Sequence, residues 1–165
     1  MPNRTIPILA IVGWSKSGKT TFLEKLIRAA KEKGLKVGAV KHTHHSLENE
    51  DKDTQRLANA GADPVLLVSD KFLLVTKKTE RELSLEKIVD DFLGDVDIVL
   101  AEGFKGSKFP KIEVYSEKEG ALFKEDPYIL AVVAKEKLDT DLPVFGPDDV
   151  ERVLDFIIRK FSLAP

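Results

Sequence analysis

The spacing of apolar residues alternates along this chain between continuous runs and a helical period, and each change marks a new element. Residues 6–12 form an apolar run that predicts a first strand, and residues 19–33 form a helix stopped by Gly34. Residues 37–40 predict a short second strand that ends in Lys41-His42, and a polar stretch leads from it to a helix over 53–60, closed by Gly61. Residues 65–68 and 72–75 predict two strands, and the brief link Ser69-Asp70-Lys71 makes them antiparallel neighbours. Ser84 offers an N-cap to a helix carrying Leu85, Ile88, Val89, Phe92 and Leu93, ended by Gly94. Residues 96–101 are almost wholly apolar, as expected of a strand buried on both faces. Residues 112–115 and 129–134 supply two more strands, and Val144-Phe145 a short one. Pro147 and Asp148 then open a helix with Val150, Val153, Leu154, Ile157, Ile158 and Phe161 on one face. This alternation predicts an α/β protein, with a mostly parallel sheet covered by helices on both faces and an antiparallel extension.

Composition narrows the setting. At 165 residues the chain suits one domain, 1–165, able to bury a core without staples. The 26 basic and 28 acidic residues leave a formal charge of −2, so no general electrostatic attraction to nucleic acid or an anionic membrane is expected. Cysteine is absent, which excludes disulfides and thiolate metal sites. The first residues carry no signal-peptide pattern, and no apolar run approaches a membrane span; a cytoplasmic protein is expected.

The chemistry concentrates in a few short segments. Residues 13–20, Gly-Trp-Ser-Lys-Ser-Gly-Lys-Thr, match G-x-x-x-x-G-K-[ST] at every fixed position, with a strand before and a helix after. This geometry aims backbone N–H groups and the positive end of a helix dipole at one spot, which suits a polyphosphate. Gly13, Ser15, Lys16, Ser17, Gly18, Lys19, Thr20 and Thr21 are therefore the candidate nucleotide-binding residues. Lys19 is expected to reach the β- and γ-phosphates, and Thr20 to join a magnesium shell. The fold that follows is a three-layer α/β/α of the P-loop NTPase type.

Glu102 ends the apolar strand at the edge where such sheets bind ligands, so it is the candidate second magnesium group and a catalytic candidate, the alternative being a carboxylate that caps the following turn; Asp97, at the strand's start, belongs at the opposite edge. Asp51-Lys-Asp53 opens the next helix, where an acid is either a helix cap or a member of the magnesium shell through water; Asp53 is a catalytic candidate or part of a surface pair with Arg56. All three histidines, His42, His44 and His45, follow Lys41 after the second strand; anion contact, metal binding and a solvated loop are the alternatives. Lys105 and Lys111 are expected near the ligand edge. Glu136-Lys137-Leu138-Asp139 approximates the Asn-Lys-x-Asp guanine reader with Glu in place of Asn, which makes Lys137 and Asp139 candidate base contacts.

Taken together, these segments resemble a known family. Gly13 to Thr21, Val40-Lys-His-Thr-His-His45, Lys52-Asp-Thr-Gln-Arg56 with Ala60-Gly-Ala62, Ala101-Glu-Gly-Phe-Lys105 and Pro110-Lys-Ile-Glu-Val114 resemble the molybdopterin-guanine dinucleotide biosynthesis protein B (MobB) family. The resemblance implies a magnesium-dependent GTP-binding protein with weak GTPase activity, a homodimer, with molybdopterin as a further candidate ligand. It would assist the guanylyltransferase that converts molybdopterin to its guanine dinucleotide form. A small-molecule kinase and a non-catalytic cofactor carrier are the competing functions. Lys16 stands where many relatives have a small residue, and the segment before Lys52 lacks their Pro-Gly.

Overall fold

The computed structural model describes residues 6–43, 51–118 and 120–164. The chain divides into two compact units: one runs to His42 and resumes at Val89, and the other spans Thr43–Ile88. The elements, in order, are β1 (Ile8–Val12), α1 (Lys19–Glu32), β2 (Val37–Lys41), α2 (Lys52–Asn59), β3 (Val65–Val68), β4 (Leu73–Thr76), α3 (Leu85–Phe92), β5 (Ile98–Glu102), β6 (Lys111–Val114), a 3-10 turn (Leu122–Lys124), β7 (Ile129–Val133), β8 (Val144–Phe145) and α4 (Val150–Phe161). Each predicted element is present, with bounds that shift by a residue or two at its ends.

The larger unit is built on a six-stranded sheet in the order β2-β5-β1-β6-β7-β8, and every neighbouring pair is parallel. β1 and β5 lie inside it and are buried along their full length, which is why their sequences read as apolar runs rather than alternating ones. Leu9 and Ile11 of β1 join Phe22 and Leu26 of α1 and Leu154 and Ile157 of α4 in one core. Each such aliphatic side chain contributes roughly 1.5–3 kcal/mol on burial. Ala10 and Val12 point to the other face, into a smaller cluster with Ile129 and Val132, and Leu122 and Phe123 pack on that cluster. Two ion pairs flank that seam, Lys25 of α1 with Asp148 just before α4 at 2.7 Å and Lys33 just after α1 with Asp155 of α4 at 2.6 Å; both are exposed and add little beside the apolar contacts.

Strand order positions the chemistry. β1 pairs with β5 on one side and β6 on the other, with Ile11 in register with Glu102. The carboxyl end of β5 therefore lies beside the loop that leaves β1. Asp97 sits at the other edge, where its carboxylate accepts the Lys36 N–H at 2.8 Å.

The smaller unit holds α2 and the antiparallel ribbon β3–β4, registered Leu66 with Val75 and Val68 with Leu73. Its helix is capped by Asp51, which accepts Thr54 N–H at 2.7 Å and the Thr54 hydroxyl at 2.6 Å. Those bonds, the hydroxyl first, hold the Asp51 carboxyl below its ordinary pKa. No helix among the described residues is long and apolar enough to cross a membrane.

Candidate phosphate-binding site

The loop from Gly13 to Thr20 is shaped by backbone that most residues avoid. Gly13 has φ 148° and Gly18, the N-cap of α1, has φ 94°. A Cβ on Gly13 would run into the Val114 carbonyl oxygen and stand 2.8 Å from Ser17 Oγ, so only glycine fits where β1 turns. Lys16 also has positive φ, 62°, and its side chain is exposed.

The first bond of α1 runs from Phe22 N–H to Gly18 O at 2.9 Å, so the N–H groups of Lys19, Thr20 and Thr21 have no partner within the helix. The first turn carries no acidic residue to neutralise them. They open on a hollow of about 450 Å³ lined by Ser15, Lys16, Gly18, Lys19, Thr20, Thr21 and Glu102. Ser17 Oγ is buried without a hydrogen-bond partner among the described residues.

Glu102 and Thr20 face each other across this hollow. The Thr20 hydroxyl donates to Glu102, with its oxygen 2.9 Å from Oε2 and 3.0 Å from Oε1, and the carboxylate is largely buried. A hydroxyl and a carboxylate so close form a hard-oxygen pair suited to Mg²⁺, which keeps most of its waters and takes one or two protein oxygens. Lys41 stands 3.4 Å from Glu102 Oε1. The Lys19 ammonium donates to the Trp14 carbonyl at 2.6 Å. Burial lowers its pKa most; Glu102 opposes that shift, and Lys105 and Lys41 reinforce it. The site thus holds a cation whose ammonium is partly stripped of water and available to phosphate oxygens.

The other expected residues fall elsewhere. His42 belongs to the larger unit and packs on Phe104 with ring centroids 5.1 Å apart; His44 and His45 lie outside the described residues. Asp53 and Arg56 belong to the smaller unit, where both are exposed and lie 3.4 Å apart as a surface ion pair. Lys137 and Asp139 are exposed in the loop after β7 and do not line the hollow.

Lys111 is a correction. Expected on the ligand surface, it is fully buried, and its ammonium is taken by the Ser107 carbonyl and by Asp126 at 2.9 Å. Lys111 is in register with Ala10, in the middle of β1 rather than at the edge, so its side chain has no route to a ligand there.

Two residues the sequence did not single out are built into the surroundings. Trp14 donates its Nε1–H to the Gly120 carbonyl at 3.2 Å. Glu113, fully buried two residues after Lys111, accepts N–H groups from Leu122 at 3.0 Å and Phe123 at 2.8 Å and so ties the 3-10 turn to β6. Lys111 and Glu113 alternate with apolar residues, a pattern that ordinarily marks a solvent-facing strand side, so the sequence carried no signal that either is internal. Burial raises the Glu113 pKa above its ordinary 4.5, against the two N–H donors and Lys105, which lower it, and with Asp126, which raises it. The folded protein then holds this proton more tightly than the unfolded chain. The stability it contributes is complete below about pH 4.5 and is lost as pH rises through the raised folded value. Denaturant midpoints compared between about pH 4 and about pH 8 should therefore fall for the wild type relative to Glu113→Gln. Parallel profiles would show that burial does not control this carboxyl.

A parallel sheet whose first strand turns through glycines onto a helix N-terminus, with a neighbouring strand's carboxylate facing the first hydroxyl, defines the phosphate-loop class of α/β proteins. Within that class, residues 8–135 match the model of the family described as molybdopterin guanine dinucleotide synthesis protein B, MobB, and the chain belongs to that family. It is 35% identical over 159 residues to the molybdopterin-guanine dinucleotide biosynthesis adapter protein of Haemophilus influenzae, covering 94% of this chain and 89% of that one. The adapter protein of the same description from Escherichia coli is 34% identical over 162 residues, covering 93% of each chain. A crystal structure of molybdopterin-guanine biosynthesis protein B aligns with a TM-score of 0.78 at 32% identity, over 93% of this chain and 99% of that one.

Proposed function

We propose that this protein is a GTP-binding adapter in the synthesis of molybdopterin guanine dinucleotide, acting in the cytoplasm beside the enzyme that joins GMP to molybdopterin. Family membership and relatives described as adapter proteins support the pathway. The observation that carries the nucleotide half is the single hollow into which Lys19, Thr20, Glu102 and the N-terminus of α1 all open.

In this proposal Lys19 and the unpaired N–H groups hold the β- and γ-phosphates, and Thr20 and Glu102 are the residues that would hold Mg²⁺, which when bound would supply charge neutralisation to the phosphates. Hydrolysis adds water to the γ-phosphorus and breaks its bond to the β–γ bridging oxygen, giving GDP and phosphate. Among the described residues no arginine lines the hollow, so turnover is slow and the protein works chiefly as an adapter. A homodimer is part of the same proposal, supported by the exposed apolar ribbon of the smaller unit.

The test is competition binding of GTP, ATP and their diphosphates, with and without magnesium. GTP should bind most tightly and lose affinity when magnesium is withdrawn. A clear preference for adenine would redirect the assignment to a kinase.

A further inference from the structure

Lys16 stands in backbone that lysine ordinarily avoids. Its φ is 62°, in the left-handed region where a Cβ crowds the following carbonyl oxygen. The Ser17 N–H donates to the Trp14 carbonyl at 3.2 Å, closing a four-residue turn with Lys16 at its third position. Positive φ at that position of a turn favours glycine or asparagine. Backbone strain of this kind clusters at ligand clamps and switch regions. Lys16 lines the hollow of about 450 Å³ and is exposed, and among the described residues no ion pair or hydrogen bond engages its ammonium.

We propose that Lys16 is a ligand of the terminal phosphoryl group, the residue by which the loop tells GTP from GDP. The inference deepens the GTP-binding reading above and rests on it. Among the described residues three charged side chains line the hollow: Lys16, Lys19 and Glu102. Glu102 offsets Lys19, so without Lys16 these side chains present no net positive charge to a polyanion. Lys19 opens α1, and its ammonium is already bonded to the Trp14 carbonyl at 2.6 Å, so its reach is to the phosphate at the helix N-terminus. Lys16 lies in the turn outside the helix, on a long stem that no neighbour holds among the described residues. The terminal phosphoryl group of a triphosphate carries more charge than the other two, so an ammonium able to choose among them settles there. The strain at Lys16 is then the cost of placing a charge where glycine would fold more easily. No arginine lines the hollow among the described residues, so this second cation falls to Lys16.

Calorimetric titration of the full-length protein with GDP and with a non-hydrolysable GTP analogue, both with magnesium, tests this. In Lys16→Gln, which keeps the stem and loses the charge, analogue affinity should fall about tenfold while GDP affinity holds. The loss is smaller than a buried cation would give, because solvent and salt screen an exposed ammonium. Lys16→Arg should restore the discrimination, and raising the salt concentration should narrow it in the wild type. Lys16→Gly relieves the strained φ, so its melting temperature without nucleotide should hold or rise while analogue affinity falls. Equal losses for both nucleotides in Lys16→Gln, no loss for either, or a lower melting temperature in Lys16→Gly would overturn the inference and leave GTP binding intact. Failure of the wild type to bind either nucleotide would remove both.

Discussion

Lys19→Ala is expected to remove GTP binding, with Kd rising by at least about a hundredfold in titration calorimetry. Two features make the effect this large. The ammonium is hydrogen-bonded into the loop, donating to the Trp14 carbonyl at 2.6 Å. It is also partly desolvated, as its lowered pKa reflects, so contact with a phosphate is screened less than it would be at the surface. The backbone N–H groups at the start of α1 remain in the variant but carry only partial charge. Folding should survive, because the deleted atoms lie over the hollow and not in the core. Unchanged affinity in a folded variant would count decisively against the loop as the nucleotide site.

The second large effect belongs to the smaller unit. One face of the β3–β4 ribbon carries Leu66, Val68, Leu73 and Val75 as two cross-strand pairs, exposed by 52%, 69%, 60% and 44%. Phe72, in the connecting turn, is 79% exposed. A two-stranded ribbon is marginal in water by itself, and a contiguous apolar face of this kind calls for a partner surface. Replacing one cross-strand pair with opposite charges, Leu66→Glu with Val75→Lys, keeps a favourable contact across the ribbon while making its outer face polar. Sedimentation velocity should show the wild type as a dimer at micromolar concentration and the double variant as a monomer. The proposed GTP binding, which is assigned to the other unit, should be unchanged. A double variant that remained dimeric would place the self-association elsewhere.

The legible parts of this protein are the contiguous ones. The phosphate loop spans eight consecutive residues, and its neighbours announce a strand and a helix through their own spacing. Glu102 was legible for a similar reason, since a carboxylate that ends a fully apolar strand must emerge at the ligand edge of a parallel sheet. Asp51 and Asp53 both stood near the start of a helix, and sequence offered no means to choose between them. The choice fell to Asp51 because its carboxylate meets both the N–H and the hydroxyl of Thr54, while Asp53 faces Arg56. Lys111 misled because lysines near strand ends usually reach water. Here the strand begins level with the middle of β1, and Asp126 supplies a counter-charge inside the fold.

By itself, then, the amino-acid order determined the α/β class, the order of elements, the phosphate loop and the family, since each depends on local patterns of polarity, glycine placement and short motifs. Only the tertiary structure decided that Glu102 meets Thr20, that Lys111 and Glu113 are internal, and that Trp14 receives Lys105 on its face while holding Gly120. Those contacts join residues as many as 106 positions apart. Which distant groups meet depends on how strands order themselves in the sheet and which face each side chain takes, and no local pattern encodes either.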